Sequence, residues 1–62
     1  MLVVSQNKDF VFDPSQIPVV RVRNGLFAGE AQIEKMIAVY ETEEEAIKNL
    51  LLIASRVGDM RL

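Results

Sequence analysis

Cysteine, histidine and tryptophan are absent from this chain. Without cysteine, no disulfide can hold the fold together. With neither cysteine nor histidine, a zinc site lacks its usual ligands. The commonest general base and the strongest nucleophile are also missing. Ser5, Ser15 and Ser55 have no catalytic motif around them. Gly25 and Gly29 do not form a glycine-rich phosphate loop. These absences point to a non-enzyme that uses no cofactor and no metal.

Long apolar runs are missing as well. The longest, such as residues 50–54, have five residues, whereas a membrane-spanning helix needs about 20. Met1-Leu2-Val3-Val4 has no basic flank and runs into Ser5-Gln6-Asn7, so it does not read as a signal peptide. The expected compartment is the cytoplasm, with no membrane partner. A basic excess is absent too: seven Lys and Arg stand against nine Asp and Glu, a net charge of −2. Strong polyanion binders carry such an excess, because neutralising phosphates supplies most of their affinity. Nucleic acid is therefore not the expected partner.

What the chain does have is apolar content, half of its 62 residues. The length allows one domain. A domain this small buries only about 60% of the surface that its unfolded chain exposes. Ordering the backbone costs on the order of 60–120 kcal/mol. Self-association is the remaining way to add burial to a small scaffold without disulfides or metal. The expected partner is a second copy of the chain, as a homodimer, with another protein as a further possible partner.

Alternation and turn residues divide the first two-thirds into strands. Leu2-Val3-Val4-Ser5 and Phe10-Val11-Phe12 read as a hairpin. A three-residue loop at Asn7-Lys8-Asp9 would pair Val4 with Phe12, giving Leu2, Val4, Phe10 and Phe12 one apolar face. A two-residue loop would instead set the two Phe side chains opposite Ser5 and Val3. The first register is the expected one. Asp13-Pro14-Ser15-Gln16 is a break, and Ile17-Pro18 opens a third strand. There Val20 and Val22 face one way, Arg21 and Arg23 the other. Asn24-Gly25 predicts a type I′ turn, pairing Val22 with Phe27 and Val20 with Gly29. Glu30 then falls near Arg21, and Gly29 marks a bulge or bend. Residues 31–40 are ambiguous. Ile33, Met36, Ile37 and Tyr40 have helical spacing, but the apolar run 36–40 leads directly into a helix cap, which favours a strand.

The helix begins at Tyr40-Glu41-Thr42-Glu43-Glu44-Glu45-Ala46. Thr42 and Glu45 have capping-box spacing. Glu43 and Glu44 lie where the helix dipole favours negative charge. The predicted helix covers 43–57. Ala46, Ile47, Leu50, Leu51, Ile53, Ala54 and Val57 share one side. Arg56 lies in the last turn, Gly58 is the stop, and 58–62 is a short frayed tail.

Two segments, Val4-Ser5-Gln6-Asn7-Lys8 and Tyr40-Glu41-Thr42-Glu43-Glu44-Glu45-Ala46, carry a resemblance covering about a fifth of the chain. The chain resembles small uncharacterised proteins of Gram-positive bacteria and their mobile elements. The resemblance implies an antiparallel sheet with one C-terminal helix across it. It implies no activity.

Three sets of residues are candidates for function. Glu41, Glu43, Glu44 and Glu45 are acidic enough to suggest metal binding, but capping and the dipole account for them. Arg21 and Arg23, with Lys8, could contact phosphates from a β-ribbon. This defines the alternative reading, a small nucleic-acid-binding regulator. Leu52, flanked by Lys48 and Arg56, points away from the apolar side of the helix. It is the candidate contact in an oligomer. The expected architecture is α+β over residues 1–62: a meander of four to five antiparallel strands (1–41) with one helix on one face. The expected function is that of a non-enzymatic protein-interaction module working as a homo-oligomer.

Overall fold

Among the described residues, a two-stranded hairpin, a three-stranded antiparallel unit, one helix and a returning strand build the domain. They are seen in a computed structural model that describes residues 1–29, 34–56 and 58–62. The elements are β1 (Val3–Val4), β2 (Val11–Phe12), β3 (Val19–Val22), β4 (Gly25–Ala28), β5 (Lys35–Val39), α1 (Glu43–Ser55) and β6 (Met60–Arg61). The class is α+β, with mostly antiparallel pairing and the helix after the main strands. The strands do not form one meander. They divide into two three-stranded sheets, ordered β2-β1-β6 and β3-β4-β5.

The β1–β2 hairpin takes the register opposite to the expected one. Val3 pairs with Phe12 and Val4 with Val11. Ser5 explains the choice. Its backbone N–H donates to the Phe10 carbonyl at 2.7 Å, and its carbonyl accepts the Lys8 N–H at 2.9 Å. Its hydroxyl donates to Asn7 Oδ1 at 2.7 Å and accepts the Phe10 N–H at 3.0 Å. Lys8 closes the turn with φ 67°. Buried Ser5 thus serves as a hydrogen-bonding hub. Because strand side chains alternate, shifting the pairing by one residue sends Val3 and Phe12 into the core and leaves Val11 exposed.

The second hairpin also turns one residue early. Val22 pairs with Gly25 and Val20 with Phe27. The turn residues are therefore Arg23 and Asn24, and Arg23 takes the left-handed conformation at φ 54°. Asn24 has another role. Its carbonyl accepts the Tyr40 N–H at 2.9 Å, and its side-chain amide donates to the Tyr40 carbonyl at 2.6 Å. Asn24 thereby ties the hairpin to the end of β5. Gly29 forms the expected bend, with φ 126°.

Residues 35–39 are a strand, as expected. The helical alternative rested partly on Ile33, which lies outside the described residues. β5 contains a bulge: Leu26 pairs with Ala38, whereas Phe27 pairs with Met36. The extra residue, Ile37, turns inward beside Ala38, so two consecutive residues are buried. Gln6 crosses from the other sheet to hold the bulge. Its N–H donates to the Ile37 carbonyl at 2.8 Å, and its Oε1 accepts the Val39 N–H at 2.9 Å.

The helix starts as predicted. Thr42 is the N-cap, and its hydroxyl accepts the Glu45 N–H at 3.2 Å. The C-terminal expectation needs correction. The helix ends at Ser55, and Arg56 is itself the left-handed cap at φ 53°. Val57 lies outside the described residues. Beyond it, residues 60–61 are not frayed. β6 runs parallel to β1, with the Met60 N–H on the Leu2 carbonyl and the Leu62 N–H on the Val4 carbonyl, both at 2.9 Å.

Both sheets and the helix share one core. Val3 and Phe12 come from the first sheet, Leu26, Ala28, Ile37 and Ala38 from the second, and Ala46 and Ile53 from the helix. Among the described residues, no helix is long and apolar enough to cross a membrane.

Candidate interaction surface

The rotation of the helix decides which of its side chains are exposed. Ala46 and Ile53 are buried against the sheet, and Leu50 packs partly against the same core. These three residues lie within a narrow arc of the helical wheel. The expected apolar side was broader and centred elsewhere. Leu51, expected in the core, is 62% exposed, and Ile47 is also exposed. Leu52 is 40% exposed on the other flank. The helix therefore shows an apolar stripe, Ile47 and Leu51, that wheel geometry assigned to the core. Lys48 and Arg56 are exposed near Leu52, as expected of neighbours on that flank.

The basic candidates have separate roles. Arg21 points to the helix side of the second sheet, where its Nη1 lies 2.9 Å from Glu43 Oε1. The same Nη1 donates to the Arg23 carbonyl at 2.8 Å. This cation joins the hairpin tip to the first turn of α1. Glu30, the partner expected for Arg21, lies outside the described residues. Arg23 sits in the β3–β4 turn, and Lys8 sits in the β1–β2 turn of the other sheet.

The acidic run has structural roles. Glu43 pairs with Arg21, and Glu45 lies under the Thr42 cap. Among the described residues, no group of three or more acidic residues is placed to hold a metal ion. Tyr40, at the base of the run, has a hydroxyl that is shielded from solvent and has no hydrogen-bond partner among the described residues. Burial pushes its phenol above the ordinary value, and the Glu45 carboxylate adds to the shift.

A half-open groove of about 520 Å³ is lined by Phe10, Ile17, Pro18, Ala28 and Gly29, with Gln16, Glu34 and Lys35 at its polar side. The Lys35 ammonium stands 5.2 Å from the centre of the Phe10 ring, in a cation–π arrangement. The lining is mainly apolar.

The feature missed by sequence reasoning is the outer face of the β3-β4-β5 sheet. Pairing places Val20, Phe27 and Met36 in one cross-strand row and Val22, Gly25 and Val39 in the next. Grouping Val20, Val22 and Phe27 on one face was correct. That face lies outside the core, because Leu26, Ala28, Ile37 and Ala38 occupy the core instead. The signal was present in β4: Gly-Leu-Phe-Ala offers an apolar residue to both faces, so alternation alone leaves the inward face undecided.

No protein-family model, curated protein or solved structure matches this chain.

Proposed function

We propose that the chain is a non-enzymatic protein-interaction module that works as a homo-oligomer. One observation carries the reading. Among the described residues, five large apolar side chains are buried: Val3, Phe12, Leu26, Ile37 and Ile53. Nine others stand exposed. Single exposed apolar residues are ordinary. Here seven of the nine gather on two surfaces, the exposed side of the helix (Ile47, Leu51, Leu52) and the outer sheet face (Val20, Val22, Met36, Val39), and gathered patches of this kind mark contact sites. The absence of His and Cys leaves an enzymatic reading without its usual chemistry. Leu52, with Lys48 and Arg56 beside it, belongs to the helix surface.

Sedimentation velocity from low to high micromolar concentration tests the proposal. The expected result is a mass that rises with concentration toward an integral multiple of the chain. A single species of 7.0 kDa throughout would refute it. Retention on heparin at low salt, lost steeply as salt rises, would instead favour the nucleic-acid alternative through Arg21, Arg23 and Lys8.

A further inference from the structure

We propose that the outer face of the β3-β4-β5 sheet is the self-association surface, and that a second copy of this chain covers it face to face. The inference rests on the homo-oligomer reading and assigns that contact to one surface.

The composition of the face supports this assignment. Its two central rows contain Val20, Phe27 and Met36, then Val22, Gly25 and Val39. No charged or hydrogen-bonding side chain interrupts them. Val20 is 41% exposed, Val22 55%, Met36 53% and Val39 48%. Gly25 is covered by the Phe27 ring, whose Cε1 would lie 3.3 Å from a Cβ added there. That ring fills the one position without a side chain, leaving a continuous apolar surface. The helix flank is different: Leu52 stands between Lys48, Asn49 and Arg56, and the Ile47–Leu51 stripe is only one row wide.

The area is consistent with a small dimer. The exposed apolar part of the face is roughly 350 Å², within the range of patches that act as contact sites. The whole chain exposes 4438 Å², so the patch is a little under one-tenth of it, close to the share that a standard interface covers. With Pro18 and the Arg23-Asn24 turn at the rim, two copies would bury about 1,000 Å² in total, at the low end of specific interfaces. The expected association is micromolar.

Two arguments identify the occupant as a copy. The face has no charge to complement, so a differently charged partner gains nothing from it and must desolvate its own groups. A two-fold arrangement sets identical apolar rows against each other and leaves no charge unpaired. The second argument is stoichiometric. A fold with so few fully buried large side chains draws stability from covering this face. A second copy is available wherever the chain itself is, in proportion to its own concentration, so covering the face this way needs no other component.

The test compares Met36→Lys and Val22→Lys with Leu51→Lys by sedimentation equilibrium, using circular dichroism to confirm folding. All three positions are exposed, so the core remains intact. Met36→Lys and Val22→Lys should each weaken association about a hundredfold or more, because each charge meets its own copy across the two-fold axis. Leu51→Lys should leave it within about threefold. If Leu51→Lys dissociates the oligomer and the sheet variants do not, the assignment fails while self-association stands. If the wild-type chain is monomeric throughout, both fail. A second measurement needs no substitution: the rate at which peroxide oxidises Met36. That rate should fall as protein concentration rises through the dissociation constant. A constant rate over a range where the oligomer forms would overturn the proposal.

Discussion

Replacing Ser5 with alanine tests the register of the first hairpin, and through it the composition of the core. The hydroxyl makes two hydrogen bonds, to Asn7 Oδ1 at 2.7 Å and from the Phe10 N–H at 3.0 Å. Ser5→Ala removes both and keeps the backbone bonds to Phe10 and Lys8. Asn7 Oδ1 retains the Asp9 N–H at 3.2 Å and is near solvent, so its loss is small. The Phe10 N–H is partly buried and would be left without a partner. An orphaned buried donor costs about 1–3 kcal/mol. Burying a methyl group in place of a hydroxyl recovers a fraction of that, so the expected net loss is about 1–2 kcal/mol.

That loss is large for this chain. A domain of this length has a total stability of roughly 3–9 kcal/mol. Each kcal/mol corresponds to about 4–8 °C in Tm at this size, so Ser5→Ala should melt roughly 5–15 °C lower. Circular dichroism follows the melt, at fixed protein concentration because association would shift the midpoint. Amide exchange at Phe10 should lose protection in the variant. The competing register, with Val4 opposite Phe12, would point Ser5 to solvent, where such a change stays within about 0.5 kcal/mol. A shift that small, with Phe10 protection intact, would refute both the hub and the register.

Other expected outcomes follow from single contacts. Thr42→Ala removes the N-cap and should cost about 1 kcal/mol, read by urea denaturation, whereas Thr42→Ser should cost far less. Deleting residues 60–62 removes β6 and its hydrogen bonds to Leu2 and Val4; the melt should shift down by at least 5 °C, whereas a frayed tail would leave it unchanged. Tyr40 is the only tyrosine, so phenolate absorbance reports on it alone. Its pKa is raised in the folded state. Both states keep the proton below about pH 10, and above it the unfolded chain ionises first. Stability should therefore fall as pH rises above 10, and an absorbance midpoint at or below 10 in the folded protein would contradict the burial. Tyr40→Phe removes the unpartnered hydroxyl and should leave stability equal or raise it by up to about 1 kcal/mol.

Local chemistry was legible in the sequence wherever neighbouring residues decide the outcome. The Thr42–Glu45 spacing located the start of the helix, because a cap is satisfied within one turn. Asp13 and Ser15 located the break between hairpins, where the Asp13 carboxylate accepts both the Ser15 N–H and its hydroxyl. β6 was not legible. Met60-Arg61 is two residues long and gains its identity from Leu2 and Val4, at the far end of the chain. No local periodicity can announce a strand whose hydrogen bonds are all non-local. The tail has no pattern of its own, and the Asp59 carboxylate that fixes its approach accepts the Leu2 N–H at 2.8 Å.

The orientation of the second sheet was illegible for a different reason. Val20-Arg21-Val22 alternates, and an alternating strand normally buries its apolar side. That rule would place Arg21 outside and the two valines inside. The structure reverses it because the neighbouring strands decide. Leu26 and Ala28 on β4, and the bulge that turns both Ile37 and Ala38 inward on β5, form the buried side of the sheet, and β3 takes the orientation that its pairing with β4 imposes. Arg21, carried inward at the sheet edge, avoids burial as an unpaired charge by reaching Glu43 at the helix N-terminus, with side chains 27% and 59% exposed. Such a pair is worth no more than about 1 kcal/mol, so it permits the inversion rather than driving it. The pairing with β4 sets the orientation of β3, and its valines join Met36 and Val39 on the exposed outer face. The inversion that defeats a reading by alternation is thus the event that creates the surface a second copy can cover.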